Sequence, residues 1–243
     1  GLAGAVALWI DKWVVWASGH QQVDAGSLVH APLYDSAMFV AYLAIIPALA
    51  FFVSLVETEF HDRIMDYYRS ISAHATLAEL DVKAHLLGED TRGLVLRIVL
   101  IQAVICAVAI SAAPGLVEMM RLHYQQIGIL RNGILGALFH FIFLTATTLI
   151  LYFERHGPYL MLQLLFACSL AIGTAVSLWF GETYLGLGYV AGAAVSAIVA
   201  WSVLDRTLSN AAYISFIMSA SRSSERRGGG RSLAAGQLRP AAH

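Results

Sequence analysis

The sequence predicts an all-α, polytopic membrane protein, and three observations carry that expectation. Of 243 residues, 58% are hydrophobic and only 13% charged, where soluble domains carry about a quarter charged residues. Mean hydropathy is +0.69. Six long apolar runs, 1–18, 36–56, 93–113, 127–153, 159–180 and 185–204, lie near the length of about 20 residues that a helix needs to span a bilayer. A spanning segment must satisfy its backbone groups internally, so each run is expected as a helix. The formal net charge of −1 gives no electrostatic footprint for nucleic acid.

The first run holds Leu8-Trp9-Ile10-Asp11-Lys12-Trp13-Val14-Val15-Trp16, a tryptophan-rich helix with an adjacent acid and base. A charge within a spanning helix costs about 2.5–3.5 kcal/mol on insertion scales, so such residues normally face a polar cavity or a partner. Asp11 and Lys12 stand about 100° apart around the helix, and so cannot pair ideally along one face. Lys12 is long enough to snorkel toward the outer interface, whereas Asp11 is not. Asp11 is therefore the principal functional candidate. The run is short, and Gly1 opens directly into it, which reads as a fragment whose upstream part is absent.

The connection 19–35 is polar and contains His20 and His30, two histidines without a third ligand. It reads as a solvated loop, and no metal site or cofactor motif is expected. In the second run Pro47 removes a backbone donor and predicts a kink. Glu57 and Glu59 are expected to close that helix. The segment 57–92 then reads as an amphipathic helical hairpin on the membrane surface: Phe60, Ile64, Tyr67, Tyr68 and Ile71 recur at helical spacing, and Thr76-Leu-Ala-Glu79 resembles a capping box that opens a short helix through Leu80 and Leu87 to a terminal Gly88.

Arg97 and Arg131 each fall one turn inside the third and fourth runs, within snorkelling reach of opposite interfaces. His140 sits in the middle of the fourth run among Phe139, Phe141 and Phe143, either as a packed core histidine or as a cavity group. Cys106 and Cys168 lie in apolar runs and behave as small hydrophobes. Gly186-Leu-Gly188 and Gly192-Ala-Ala-Val-Ser196 are small-residue spacings that permit close helix packing. Residues 1–204 thus form one six-helix transmembrane domain, and 205–243, rich in Ser, Gly and Arg, reads as a disordered tail.

Basic residues set the orientation. The segments 57–92, 154–158 and the tail carry most of the Lys and Arg, while 19–35 and 181–184 carry none and 114–126 carries only Arg121. By the positive-inside rule, residue 1 and the tail are cytoplasmic. Trp13, Trp16, Trp179, Tyr184 and Tyr34 then belong near the outer interface. No Walker loop, GxSxG elbow or HExxH motif is present, so the residues give no support for an enzyme.

Several stretches resemble the PelG family, the inner-membrane exporters of the Pel exopolysaccharide system and relatives of the multidrug/oligosaccharidyl-lipid/polysaccharide (MOP) flippases. They are Leu8-Trp-Ile-Asp11-Lys12-Trp13 with Trp16, Pro32-Leu-Tyr34-Asp35, and Ala41-Tyr42-Leu-Ala-Ile-Ile-Pro47 running on to Glu57-Thr58-Glu59-Phe60. Leu151-Tyr152-Phe153 and Leu204-Asp205-Arg206 add to these. The resemblance covers most of 1–210, and Leu208-Ser209-Asn210-Ala211-Ala212 departs from the family's acidic-aromatic end.

The resemblance implies the second six-helix lobe of a twelve-helix MOP-type transporter in the bacterial inner membrane, working by alternating access. The implied partners are a polysaccharide substrate, membrane lipid, the missing N-terminal lobe, a cytoplasmic glycosyltransferase and other inner-membrane Pel subunits. Asp11, Lys12, His140 and Arg131 are the expected transport-cavity residues, and Trp9, Trp13 and Trp16 the expected sugar-stacking ones. Two alternatives are a cation-coupled small-molecule antiporter of the same superfamily and a non-transporting scaffold of a polysaccharide synthase.

Overall fold

The computed structural model describes residues 2–18, 22–23, 29–72, 77–181 and 184–209. The described chain is dominated by helices: α1 (Leu2–Trp16), α2 (Pro32–Leu43), α3 (Ile46–Leu55), a π-helical turn (Val56–Phe60), α4 (His61–Ser72), α5 (Leu77–Met119), α6 (Gln126–Tyr152), α7 (His156–Phe180) and α8 (Leu187–Ser209). Two two-residue strands, β1 (Gln22–Val23) and β2 (Val29–His30), pair antiparallel in the connection after α1, where the sequence suggested only a solvated loop. Among the described residues, five segments are long and apolar enough to cross a membrane: Pro32–Ser70, Val82–Met119, Gln126–Tyr152, His156–Phe180 and Leu187–Ser209. The expected first span appears as the 15-residue α1.

Helix α6 is the centre of the bundle. It packs against α8, α5 and α2, while α1 lies on α7 and α7 on α8. Apolar side chains point outward as well as inward: Leu96, Leu100, Val104 and Val108 form an exposed stripe on α5. Their spacing of four keeps them on one helix face, which in water would be an aggregation surface and in a bilayer is the lipid contact. The chain is an all-α, multi-pass membrane protein.

The α7–α8 contact is made by the small residues. A side chain built on Gly188 would meet the Gly173 carbonyl oxygen at 2.2 Å, and one on Gly192 would meet the Ser169 carbonyl oxygen at 2.8 Å. Ser169 and Ser196 hydroxyls lie 2.8 Å apart across the same seam. Backbone-to-backbone approach of this kind is how helices associate where lipid is as apolar as leucine.

Three expected helix ends are corrected. Glu57 and Glu59 do not end the second helix; they lie exposed in the π-helical turn, and the helix runs on through α4. Gly88 does not end a short helix either, because α5 continues through it for 43 residues. Gly88 is buried facing Leu208, where an added Cβ would make an ordinary contact at 3.7 Å. The 57–92 hairpin is consequently an extension of two spanning helices. Its legs are held by Arg63 to Asp90 at 2.6 Å and by the Lys83 ammonium donating to the Ser70 hydroxyl at 2.6 Å. The capping-box residue Thr76 lies outside the described residues.

Tyr34, expected near the outer interface, is buried within the bundle. The third correction is the end of the last helix: α8 reaches Ser209, so residues 205–209, expected as tail, are helical. Residues 210–243 lie outside the described residues, as does His20. Arg92 donates to the Asp205 carboxylate at 2.8 Å, and Arg155 to the Thr207 hydroxyl at 2.9 Å. The Arg92–Asp205 pair is solvent-accessible, so Arg92→Ala should lower the thermal midpoint only slightly, by the equivalent of about 0–1 kcal/mol.

The expected kink at Pro47 is present as a break between α2 and α3. The Ala44 and Ile45 amides bond three residues back, to Ala41 and Tyr42. Proline has no N–H and its ring crowds the carbonyl four residues earlier. The side-chain amide of buried Gln102 on α5 donates to the Ala44 carbonyl at 3.1 Å, which gives the loosened backbone a partner from another helix.

Candidate functional site

The tryptophan-rich helix places its acid inside the bundle. Asp11 has no solvent exposure. The Tyr34 hydroxyl donates to Asp11 Oδ2 at 3.0 Å and the Tyr42 hydroxyl approaches the same oxygen at 3.4 Å. Tyr34 and Tyr42 are eight residues apart on α2, close to two helical turns, so both rings leave α2 on the side that faces α1. Asp11 Oδ1 accepts no hydrogen bond among the described residues.

Lys12 turns inward as well. Its side chain is only 12% exposed and its ammonium stands 3.8 Å from Asp11 Oδ1, beyond hydrogen-bond distance. The ammonium also lies 4.5 Å from the centre of the Tyr42 ring and 5.4 Å from that of Trp9, within cation–π range. The expected outward snorkel of Lys12 is therefore replaced by a seat between a buried carboxylate and two aromatic faces.

A second polar pair adjoins the first. His140 Nδ1 and the Tyr189 hydroxyl are 2.9 Å apart, joining α6 to α8. Tyr42 sits edge-on to both rings, at 5.6 Å from Tyr189 and 6.3 Å from His140. Phe166 of α7 covers the imidazole at 4.8 Å and stacks on Phe143 at 4.5 Å. Gly136, one turn before His140, makes the space for Tyr189: a side chain there would meet the ring at 2.2 Å. Helices α1, α2, α6, α7 and α8 thus converge on one buried acid–base–aromatic cluster.

Of the residues singled out from sequence, Asp11, Lys12 and His140 come together in this cluster. Arg131 is exposed on the surface of α6. Trp9 and Trp13 are exposed on one face of α1, at 50% and 43%. Trp16 is half-buried, and its indole N–H donates to Asp35 Oδ2 at 2.9 Å. The same Asp35 oxygen accepts the Ala31 amide at 2.8 Å, so Trp16 and Asp35 fix the entry of α2 against the end of α1. Tyr34, Tyr42 and Tyr189 were not among the expected site residues. The available signal was the presence of hydroxyl-bearing rings in helices otherwise filled by aliphatic residues, because a buried phenol needs a partner.

A bundle of apolar helices around a buried carboxylate, ammonium and imidazole fits the class of membrane transport proteins, in which ionisable groups are retained where ions or substrates are handled. Over residues 1–216 the chain matches the PelG family model, described as "Putative exopolysaccharide Exporter (EPS-E)", and it belongs to that family. The match extends past Leu208–Ala212, where the sequence suggested a departure from the family. No curated protein and no solved structure matches the chain. The family is one of exporters, a transport class and not an enzyme class.

Proposed function

We propose that this chain is the C-terminal lobe of a twelve-helix exporter that moves a hexosamine-rich, Pel-type polymer across the bacterial inner membrane by alternating access. Residue 1 and the C-terminal tail face the cytoplasm in this reading. The observation that carries it is the Asp11–Lys12 pair, an acid and a base enclosed in the first helix of a membrane lobe. Asp11 acts from within the lobe and not from an open cavity wall. A change in its charge or partners alters the seating of α1 on α2, and with it the face that presents Trp9 and Trp13. That face stacks on sugar rings, and the other lobe closes over it.

The coupling is to an ion gradient, with Asp11 and His140 as the groups that respond. The small-molecule antiporter reading shares this cluster and differs in cargo. It is favoured by the compactness of the acid–base–aromatic site, and a drug-efflux assay separates it from polymer export. The α4–α5 hairpin, with its cleft of about 300 Å³ lined by Arg63, Asp66, Tyr67, Lys83 and Asp90, is the surface offered to a cytoplasmic glycosyltransferase and to other inner-membrane subunits.

Removal of the gene tests the reading against the scaffold alternative. An exporter's loss leaves polymer synthesised but retained inside the cell. Loss of a scaffold abolishes synthesis, so absence of polymer from both compartments would sink the export reading. Trp9→Ala with Trp13→Ala should reduce secretion without reducing the amount of protein in the membrane. An unchanged secretion rate in the double variant would remove the stacking role.

A further inference from the structure

The environment of Lys12 is that of a bound ligand as much as of a side chain. Its ammonium sits 3.8 Å from a carboxylate oxygen that accepts no hydrogen bond among the described residues, and over the rings of Tyr42 and Trp9 at 4.5 and 5.4 Å. A carboxylate beside two π faces is a recognition site for organic cations, with attraction from the charge and from the ring quadrupoles together. Asp11 has no exposure, whereas Trp9 is half exposed, so the seat runs from the lobe interior to its surface.

We propose that Lys12 is a tethered occupant of a primary-ammonium site formed by Asp11, Tyr42 and Trp9, and that withdrawal of its side chain opens this site to a free protonated amine. The short reach from Trp9 inward gives such an amine its entry. Lys12 thereby acts as a built-in competitor: the site is closed while the lysine is seated and receptive when it leaves. A lysine that served only as a counter-ion to Asp11 would need no aromatic faces on either side of it.

The inference goes beyond the export reading, and it is read out by binding alone, so the two can fail separately. Lys12→Ala deletes three methylenes and the ammonium, and n-propylammonium replaces those atoms. In the purified full chain, Lys12→Ala should show a thermal midpoint that rises and saturates with n-propylammonium, while n-propanol, which lacks the charge, leaves it unmoved. The unmodified protein should show no such rise, because its own lysine fills the seat. The double variant Asp11→Asn, Lys12→Ala should lose the response.

A folded Lys12→Ala protein whose midpoint ignores the amine overturns the proposal. A rise of equal size in the unmodified protein or in the double variant also overturns it, since that is a general salt effect. If Lys12→Ala does not fold alone, extraction in the presence of n-propylammonium should recover folded protein. Failure to recover it, for Lys12→Ala and for Lys12→Ser alike, again overturns the proposal.

Discussion

Asp11→Asn should reduce polymer secretion to the level of a strain lacking the gene while leaving the protein inserted and folded. The substitution is nearly isosteric, and the asparagine carbonyl still accepts the Tyr34 hydroxyl that lies 3.0 Å from Asp11 Oδ2. Removing one partner of a buried ion pair can cost about 3–5 kcal/mol, but Lys12 is 12% exposed, keeps the Tyr42 and Trp9 rings at 4.5 and 5.4 Å and has a stem long enough to carry its charge toward water, so the variant should fold with a lowered thermal midpoint. Function is lost outright, because an amide neither attracts the Lys12 ammonium as an ion nor binds a proton or cation in its place. Asp11→Ala should lose secretion too, and with it stability. It leaves the buried Tyr34 hydroxyl without its acceptor, at about 1–3 kcal/mol for an unsatisfied group. The measurement is secreted polymer against membrane-inserted protein, with the thermal midpoint of each variant alongside.

Gly188→Ala should be the most damaging single methyl in the lobe. The added carbon would lie 2.2 Å from the Gly173 carbonyl oxygen and 2.5 Å from the Thr174 amide nitrogen, so backbone rather than a side-chain end must move. Overpacking of this kind costs about 1–3 kcal/mol and occasionally more. The damage does not stay at the seam, because Gly188 immediately precedes Tyr189 and a shift of α8 draws the Tyr189 hydroxyl away from His140, now 2.9 Å distant. A lower thermal midpoint and reduced secretion are therefore expected together. Gly128→Ala is the control: nothing lies within 4 Å of a side chain there, and in helix α6 the exchange should be neutral or slightly stabilising. An unchanged midpoint in Gly188→Ala would mean that α7 and α8 are farther apart than described here.

The spanning helices were legible because their signal is composition sustained over length, and runs such as 127–153 correspond closely to α6, Gln126–Tyr152. The ends were less legible. Glu57, Glu59 and Gly88 look like stops, yet a helix that leaves the apolar region still has its backbone bonds to make. Arg63 and Asp90 hold the two legs together beyond the apolar runs. The close packing of α7 and α8 was readable from the small residues at 186–196, although their partner Gly173 was not, since a lone glycine names no neighbour.

At the site, the importance of Asp11 followed from the cost of a buried charge. Its company did not. Tyr34 and Tyr189 lie 23 and 178 residues away in sequence, and only the crossing of α1, α2, α6 and α8 brings them to one place. Trp16 illustrates the limit from the other side. Sequence grouped it with Trp9 and Trp13 by helical spacing, but its indole N–H is engaged by Asp35, a polar partner that spacing within α1 cannot reveal.

The most direct test of the account is where polymer resides in cells carrying Asp11→Asn in the otherwise complete export system. Spheroplasts allow polymer inside the inner membrane to be measured separately from polymer released, with the variant protein quantified in the same membranes. The account predicts that synthesis continues, that the variant is present at normal amounts, and that polymer accumulates on the cytoplasmic side. Release of polymer at the unmodified rate, from membranes holding the variant protein, would contradict the claim that Asp11 is the working group of this lobe.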